Sequence, residues 1–279
     1  MLVLVIGLMA AMVASGCGDE EEETGSGGEA TGESTGTIDT ANLDLIEPGT
    51  LTVGSDIPFP PFEQGNPPDY EGFDIDLVNE VADRLGLETQ IEDAPFDLLL
   101  QGGGGQFDLA VAATTITPPR ENRVDFSDPY FLAEQALLVQ SGGEVQSVDD
   151  LEGKIVASQD GTTGETFAKD NTNAEEVRPF PEIDNAYNAL ENGQVDAVIN
   201  DLPSVQDAAE EKDGLEVVET FPTDEEYGII FPEDSDDLRE AVNEALVEIK
   251  EDGTLGELYQ EWFDQDAPES LLSSTHEPS

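Results

Sequence analysis

Residues 107–131 read FDLAVAATTITPPRENRVDFSDPYF, and two features of this stretch frame everything around it. Its first eight residues, FDLAVAAT, are a near-continuous apolar run of strand length, the kind buried on both faces in a parallel sheet. A Thr-Thr-x-Thr run and a Pro-Pro turn follow, and behind them stands Arg120. The chain has only 9 Lys and Arg among 279 residues, against 65 Asp and Glu, for a formal net charge of −56. A cation kept against that background needs an anion to hold. The anion is either one of the protein's own carboxylates, Asp125 or Asp128, or one on a ligand.

The pattern on either side alternates. Upstream, LTVGSD (51–56) predicts a strand that enters a loop rich in Pro and Phe (57–70). In GFDIDLVNEVADRLGL (72–87), Phe73, Leu77, Val81 and Leu85 recur at helical spacing, and Gly86 stands where a helix would end. LETQIED (87–93) predicts a second strand and PFDLLLQ (95–101) a short helix. Downstream, ALLVQ (136–140) and KIVAS (154–158) predict strands, the latter running into QDGTTGETFAKD, a Gly/Thr loop that opens a helix. EIDNAYNALENGQ (182–194) predicts a helix closed by Gly193, and VDAVIND (195–201) a strand. LEVVET (215–220) and YGIIF (227–231) are two more strands. DDLREAVNEALVEIKEDG (236–253) carries Leu238, Val242, Leu246 and Ile249 on one face, and LGELYQEWF (255–263) closes the folded region. Strands alternating with helices mean an α/β protein.

Composition narrows the function classes. The length suits one large domain or two ordinary ones, and a hydrophobic content of 37% is low but sufficient for a core. The acidic balance excludes nucleic acid, whose phosphates require clustered Lys and Arg, and adhesion to anionic lipid. A solvated acidic surface on this scale suits a saline habitat, because molar salt shortens the Debye length to about 3 Å. The single cysteine, Cys17, allows no internal disulfide, and the single histidine, His276, falls in a polar C-terminal tail. Thiol or imidazole catalysis within the folded body and a His/Cys zinc site are thereby excluded.

The N-terminus reads as an address. MLVLVIGLMAAMVASGC (1–17) is an apolar run ending in small residues, shorter than a comfortable transmembrane span and similar to the core of an export signal. Ala14-Ser15-Gly16-Cys17 resembles a bacterial lipobox, in which the Cys17 thiol is acylated. Ala14 stands where Leu is more usual, and no Lys or Arg precedes the run. The alternative is a plain signal peptide with an incidental cysteine. Residues 18–42, acidic and rich in Gly, Ser and Thr, predict a disordered, self-repelling tether.

Taken together, GFDIDLVNEVADRL, FDLAVAATTITPPRENRVDFSDPYF, LEGKIVASQDGTTGETFA, NGQVDAVINDLPSV and EALVEIKEDGTLGELYQEWF resemble, in order, the motifs of the family 3 extracellular solute-binding proteins. These are the polar amino-acid receptors of ABC importers. The resemblance spans approximately residues 43–263. It departs at QGGGGQFD (101–108), where a short polar helix end is more usual. The implied fold is the type II periplasmic-binding-protein architecture: two α/β lobes around a ligand cleft, joined by two chain crossings near 139–142 and 223–228. Lobe 1 would comprise 43–139 and 226–265, lobe 2 140–225, and a polar tail 266–279.

The resemblance also implies a site. An amino-acid zwitterion offers a carboxylate and an ammonium, and Arg120 matches the family's carboxylate-binding arginine, with the amide and hydroxyl of Thr115 beside it. Its planar fork suits a carboxylate bidentately and stays charged when buried. Asp201 matches the acid that takes the ammonium, aided by the Ala113 carbonyl. Thr162 and Thr163 precede a helix and would aim amides and hydroxyls at an anion. The bland alternative is an ordinary capping loop. Phe59 and Phe96 match positions that sandwich the ligand side chain, though both also suit a core. Asp56 matches an acid that bonds a polar or cationic side-chain end, and Gln159 a position that varies with specificity. No cofactor or metal is implied. The expected partner is a membrane permease, with a lipid-anchored monomer on the extracytoplasmic side of the membrane. The main rival is a cyclohexadienyl or arogenate dehydratase on the same architecture, with Glu165 or Glu63 as the acid. A receptor's sensory domain would instead require a membrane span after Phe263.

Overall fold

The computed structural model describes residues 43–273 together with Ile38, Thr40 and Thr275. The expected leader, the Cys17 acylation site, most of the tether and His276 lie outside the described residues. Residues Ile38–Ser279 form one compact unit.

The first half of the chain builds a sheet from β1 (Thr50–Ser55), β4 (Glu88–Asp93), β5 (Leu109–Ala110) and β6 (Asp125–Phe126), with a small hairpin of β2 (Gln64–Asn66) and β3 (Asp69–Glu71) beside it. Helices α1 (Phe73–Leu85), α2 (Phe96–Leu99) and α3 (Pro118–Glu121) connect these strands. The chain then forms a second sheet from β7 (Phe131–Gln140), β8 (Ile155–Gln159), β9 (Glu176–Phe180), β10 (Ala197–Asp201) and β11 (Leu215–Tyr227), connected through α4 (Thr163–Asn171), α5 (Ile183–Glu191) and α6 (Leu202–Glu211). It returns to the first sheet as β12 (Ile230–Phe231) and ends in α7 (Asp236–Glu251), α8 (Thr254–Phe263) and α9 (Glu269–Leu272). The strand orders are β4-β1-β5-β12-β6 and β11-β7-β10-β8-β9. The architecture is thus two α/β lobes with two crossings.

Alternation along the strands explains the layers. In lobe 1, Val53, Leu109 and Val111 pack under α1 and α8, while Ala110 and Ala112 face the cluster of Phe96, Leu99 and Phe107. In lobe 2, Leu138, Ala157 and Val198 face α5, and Leu137, Val156 and Ile199 face α4. Helix α1 forms where its apolar spacing predicts, and Gly86 closes it in the left-handed region at φ 68°, with Leu87 N–H bonding the Ala82 carbonyl. The glycine run 102–105 turns with φ between 60° and 78° at all four positions, a path that other residues rarely take. None of these four glycines lines the cavity described below.

Several elements differ from the expectation. The apolar run 107–114 yields only a two-residue strand, because Ala113 adopts φ 42° and gives its N–H to Asp74 Oδ2 at 2.7 Å instead of to a neighbouring strand. The first crossing lies earlier than 139–142: β7 pairs with β11 from Phe131 and with β10 from Gln135, so residues 131–139 belong to the second sheet. Strand β11 continues through TFPTDEE with a shift of register between Phe221 and Glu225, and then pairs Glu225–Tyr227 with Phe131–Ala133 to form the hinge ribbon. The tail carries α9, whose Leu271 is fully buried, and Ile38, expected in the tether, is also buried against the core. An isolated apolar side chain in a polar stretch gains by finding such a slot. Among the described residues no helix is long and apolar enough to cross a membrane.

Candidate functional site

Between the lobes lies a cavity of about 20 Å³, room for about one water. Asp56, Phe59, Phe96, Ala113, Thr115, Arg120, Gln159, Thr162, Thr163 and Asp201 all line it, together with Glu63 and Ala112. The structure therefore brings the ten residues named above to one place. A wider groove of about 890 Å³ lies on the hinge ribbon, lined by Phe131, Leu202, Trp262 and several acids, and contains none of the ten.

Arg120 sits on α3, the single turn made by Thr117 and the Pro-Pro pair. Its Nη1 donates to the Thr115 carbonyl at 2.7 Å, its Nη2 crosses the cleft to the Gly161 carbonyl at 3.3 Å, and its Cζ lies 5.3 Å from the Phe96 ring centre. Burial lowers its pKa from the ordinary value, and the charges of Asp201 and Glu225 oppose that shift. These, and not Asp125 or Asp128, are the carboxylates it feels. Phe96 consequently serves both as core and as cavity wall.

Asp201 ends β10 and receives Tyr227 Oη at 2.6 Å and Gln135 Nε2 on its two oxygens. Burial, then the neighbouring Glu225, push its carboxyl up to about 7, while Tyr227, Gln135 and Arg120 pull the other way. On the opposite wall Asp56 directly follows β1 and accepts Gln159 Nε2 from lobe 2 at 2.7 Å. Burial, reinforced by Glu182, raises Asp56 to about 7 as well. A third contact across the cleft joins Thr115 Oγ1 and Thr163 Oγ1 at 3.4 Å.

The threonines divide their labour. Thr162 is the N-cap of α4: its hydroxyl accepts the Glu165 N–H at 3.1 Å and donates to the Gln159 carbonyl at 2.8 Å. That hydroxyl is therefore committed to capping. Thr163 keeps its hydroxyl on the cavity side, within reach of Thr115 and Gln135.

Gln135, Glu225 and Tyr227 complete the polar network, and sequence reasoning missed all three. Gln135 Nε2 bridges Asp201 and Glu225, and Glu225 Oε2 accepts from Thr115 at 2.7 Å. Gln135 was findable, as the one polar residue on the alternate face Phe131, Ala133, Gln135, Leu137, Val139. Glu225 was not, because an acid in TDEEY carries no information in this chain.

The two acids considered for a dehydratase fare differently. Glu165 is tied to Gly161 N–H at 3.1 Å and Lys169 Nζ at 2.6 Å, and does not line the cavity. Glu63 does line it, fully buried, and neither of its carboxyl oxygens has a hydrogen-bond partner.

Residues 51–265 match the model of the bacterial extracellular solute-binding proteins, family 3. The L-cystine-binding protein TcyJ of Escherichia coli (strain K12) is 32% identical over 225 residues, covering 79% of this chain and 85% of that protein. The ABC transporter glutamine-binding protein GlnH of Bacillus subtilis (strain 168) is 32% identical over 274 residues, covering 95% of this chain and 97% of its own length. Among solved structures, an ancestral arginine-binding protein bound to glutamine is 37% identical, with a TM-score of 0.74, covering 78% of this chain and all of that one. The chain belongs to the bacterial extracellular solute-binding proteins of family 3.

Proposed function

We propose that the protein captures an α-amino acid in the cleft outside the cytoplasm and presents it to the permease of an ABC importer. The observation that carries this reading is the convergence of Arg120 and Asp201 from different lobes on one buried cavity. Arg120 takes the ligand carboxylate, assisted by Thr115 and the first-turn amides of α4. Asp201 takes the ammonium, and the Ala113 carbonyl supports it. Phe59 and Phe96 flank the side chain, whose end meets Asp56 and Gln159, an environment suited to a polar or cationic group.

A cavity of about 20 Å³ is too small for an amino acid, so the lobes must part about the hinge ribbon to admit one. Parting breaks the three contacts that cross the cleft, Asp56–Gln159, Arg120–Gly161 and Thr115–Thr163. Closure over the ligand excludes water and strengthens its charged hydrogen bonds. Acylation of Cys17 would hold the protein to the membrane beside its permease. Substituting Cys17→Ser should then abolish partition into detergent, and unchanged partition removes the anchor.

A thermal-shift screen of the twenty common amino acids in high salt tests the function. At least one should raise the Tm by several degrees through preferential binding to the folded state. No shift with any of them, confirmed by calorimetry, overturns the reading.

A further inference from the structure

Glu63 is the group that the zwitterion site leaves unexplained. It follows Phe62 in the loop after β1, is fully buried, and lines the cavity with no hydrogen-bond partner for either oxygen. The titratable groups around it are Asp56 directly after β1, Asp74 on α1 and Tyr130 ahead of β7, with Arg120 and Asp201 on the other walls of the cavity. None of them compensates it. Tyr130 gives its hydroxyl to Asp74 Oδ2 at 2.8 Å, Asp56 is engaged by Gln159, and Arg120 donates to two carbonyls. An ionised carboxylate buried without partners is one of the costliest arrangements a protein can hold.

We propose that Glu63 selects a cationic ligand side chain, and that one proton leaves the pocket for each such ligand bound but stays when the side chain is neutral. This deepens the amino-acid reading and rests on it. With the cavity unliganded, Glu63 holds its proton: burial first, then the charges of Asp74 and Asp56, raise its pKa well above the ordinary value. An entering ammonium or guanidinium supplies the missing countercharge, and the carboxyl gives up its proton to solvent. A neutral amide or urea group takes a hydrogen bond from the protonated acid, with no exchange. The proton and the cation thus compete for one buried position, which makes capture of a basic amino acid dependent on pH.

Arginine and citrulline test this, because they share length and shape but differ in side-chain charge. Both are titrated calorimetrically near pH 6.5 in buffers of different ionisation enthalpy, which counts the protons exchanged, and their affinities are then compared over a pH series. Arginine should release about one proton more than citrulline, and its affinity relative to citrulline should rise about tenfold per pH unit while Glu63 stays protonated in the free protein. In Glu63→Gln the extra proton should vanish and the preference for arginine fall at least tenfold, with citrulline still bound. Glu63→Met serves as the second variant if the first fails to fold. Equal proton counts in the wild type overturn the proposal. So does an unchanged arginine-to-citrulline ratio in Glu63→Gln, or an extra proton that vanishes in Asp56→Asn but survives in Glu63→Gln. A wild-type protein that binds neutral amino acids but not arginine, lysine or histidine overturns it too, and leaves the amino-acid reading standing. If no amino acid binds, that reading falls as well.

Discussion

The two walls of the cleft are built from different materials. Lobe 1 contributes buried ionisable groups and aromatic surface: Asp56, Glu63 and Arg120, with Phe59 and Phe96 beside them. Lobe 2 contributes the amides and hydroxyls at the start of α4, the Gln159 amide, and one carboxylate, Asp201. Lobe 1 can therefore orient a ligand by itself, whereas lobe 2 mostly supplies short-range hydrogen bonds that matter only after closure. The difference suggests an order of events: the ligand lands on lobe 1, and lobe 2 follows as a lid.

The largest expected effect comes from removing the lobe 1 charge. Arg120→Ala should weaken amino-acid binding by about 100-fold or more, roughly 3 kcal/mol, because it deletes a bidentate charged contact from a dry site. Calorimetry on the folded variant checks this, and unchanged affinity would break the comparison at its strongest point. A smaller loss should follow from disturbing the lid. A Cβ added at Gly164 would lie 2.9 Å from Gln135 Oε1 and 3.2 Å from the Ile199 carbonyl, so the Gln135 side chain must move and α4 or β10 must give by a few tenths of an ångström. Gly164→Ala should lower affinity by about tenfold, at an overpacking cost of about 1–3 kcal/mol, and act mainly on the dissociation rate.

Stability against pH should report the buried acids that the two lobes share. Asp56, Asp74 and Asp201 are each pushed up to about 7, chiefly by burial. The folded state then binds more protons than the unfolded chain between about pH 4 and 7, so stability is highest at the acid end of that window and declines as pH rises through it. The Tm of the unliganded protein in high salt should fall by several degrees from pH 5 to 8. Asp74→Asn should flatten that slope, and a Tm that instead rises over this interval would contradict the assignment.

The gentlest and broadest effect is that of salt. With a net charge of −56, the Tm should climb with salt, most steeply where the Debye length falls from about 30 Å to about 10 Å. Ligand affinity, carried by groups shut away from solvent, should change far less over the same series. A flat or falling Tm would refute the saline reading without touching the site.

Much of this was legible in the sequence, for physical reasons that also mark the limit. Helices α1 and α7 announce themselves by apolar spacing on amphipathic surfaces, with Gly86 and Gly253 beyond their ends. Helix α6 did not, because Leu202-Pro203 reads as a turn although proline is well placed in a first helical turn. Strand β11 hid behind TFPTDEE, whose exposed face is ordinary for an edge strand but resembles a loop in sequence. Of the site, Arg120 stood out because cations are scarce here. Glu225 and Asp74 could not, since one acid among 65 is silent until the fold shows what it bonds; Glu63 was named only as a possible general acid, and nothing in the sequence marked it as buried without a partner.

The central claim is that Arg120 holds the α-carboxylate of an amino acid inside the cleft. The most direct test titrates the tightest-binding amino acid against the amine left by removing only its carboxylate. The amine should bind the wild type at least about 100-fold more weakly, and Arg120→Ala should no longer distinguish the two. An amine that binds the wild type as tightly as its parent amino acid would contradict the claim.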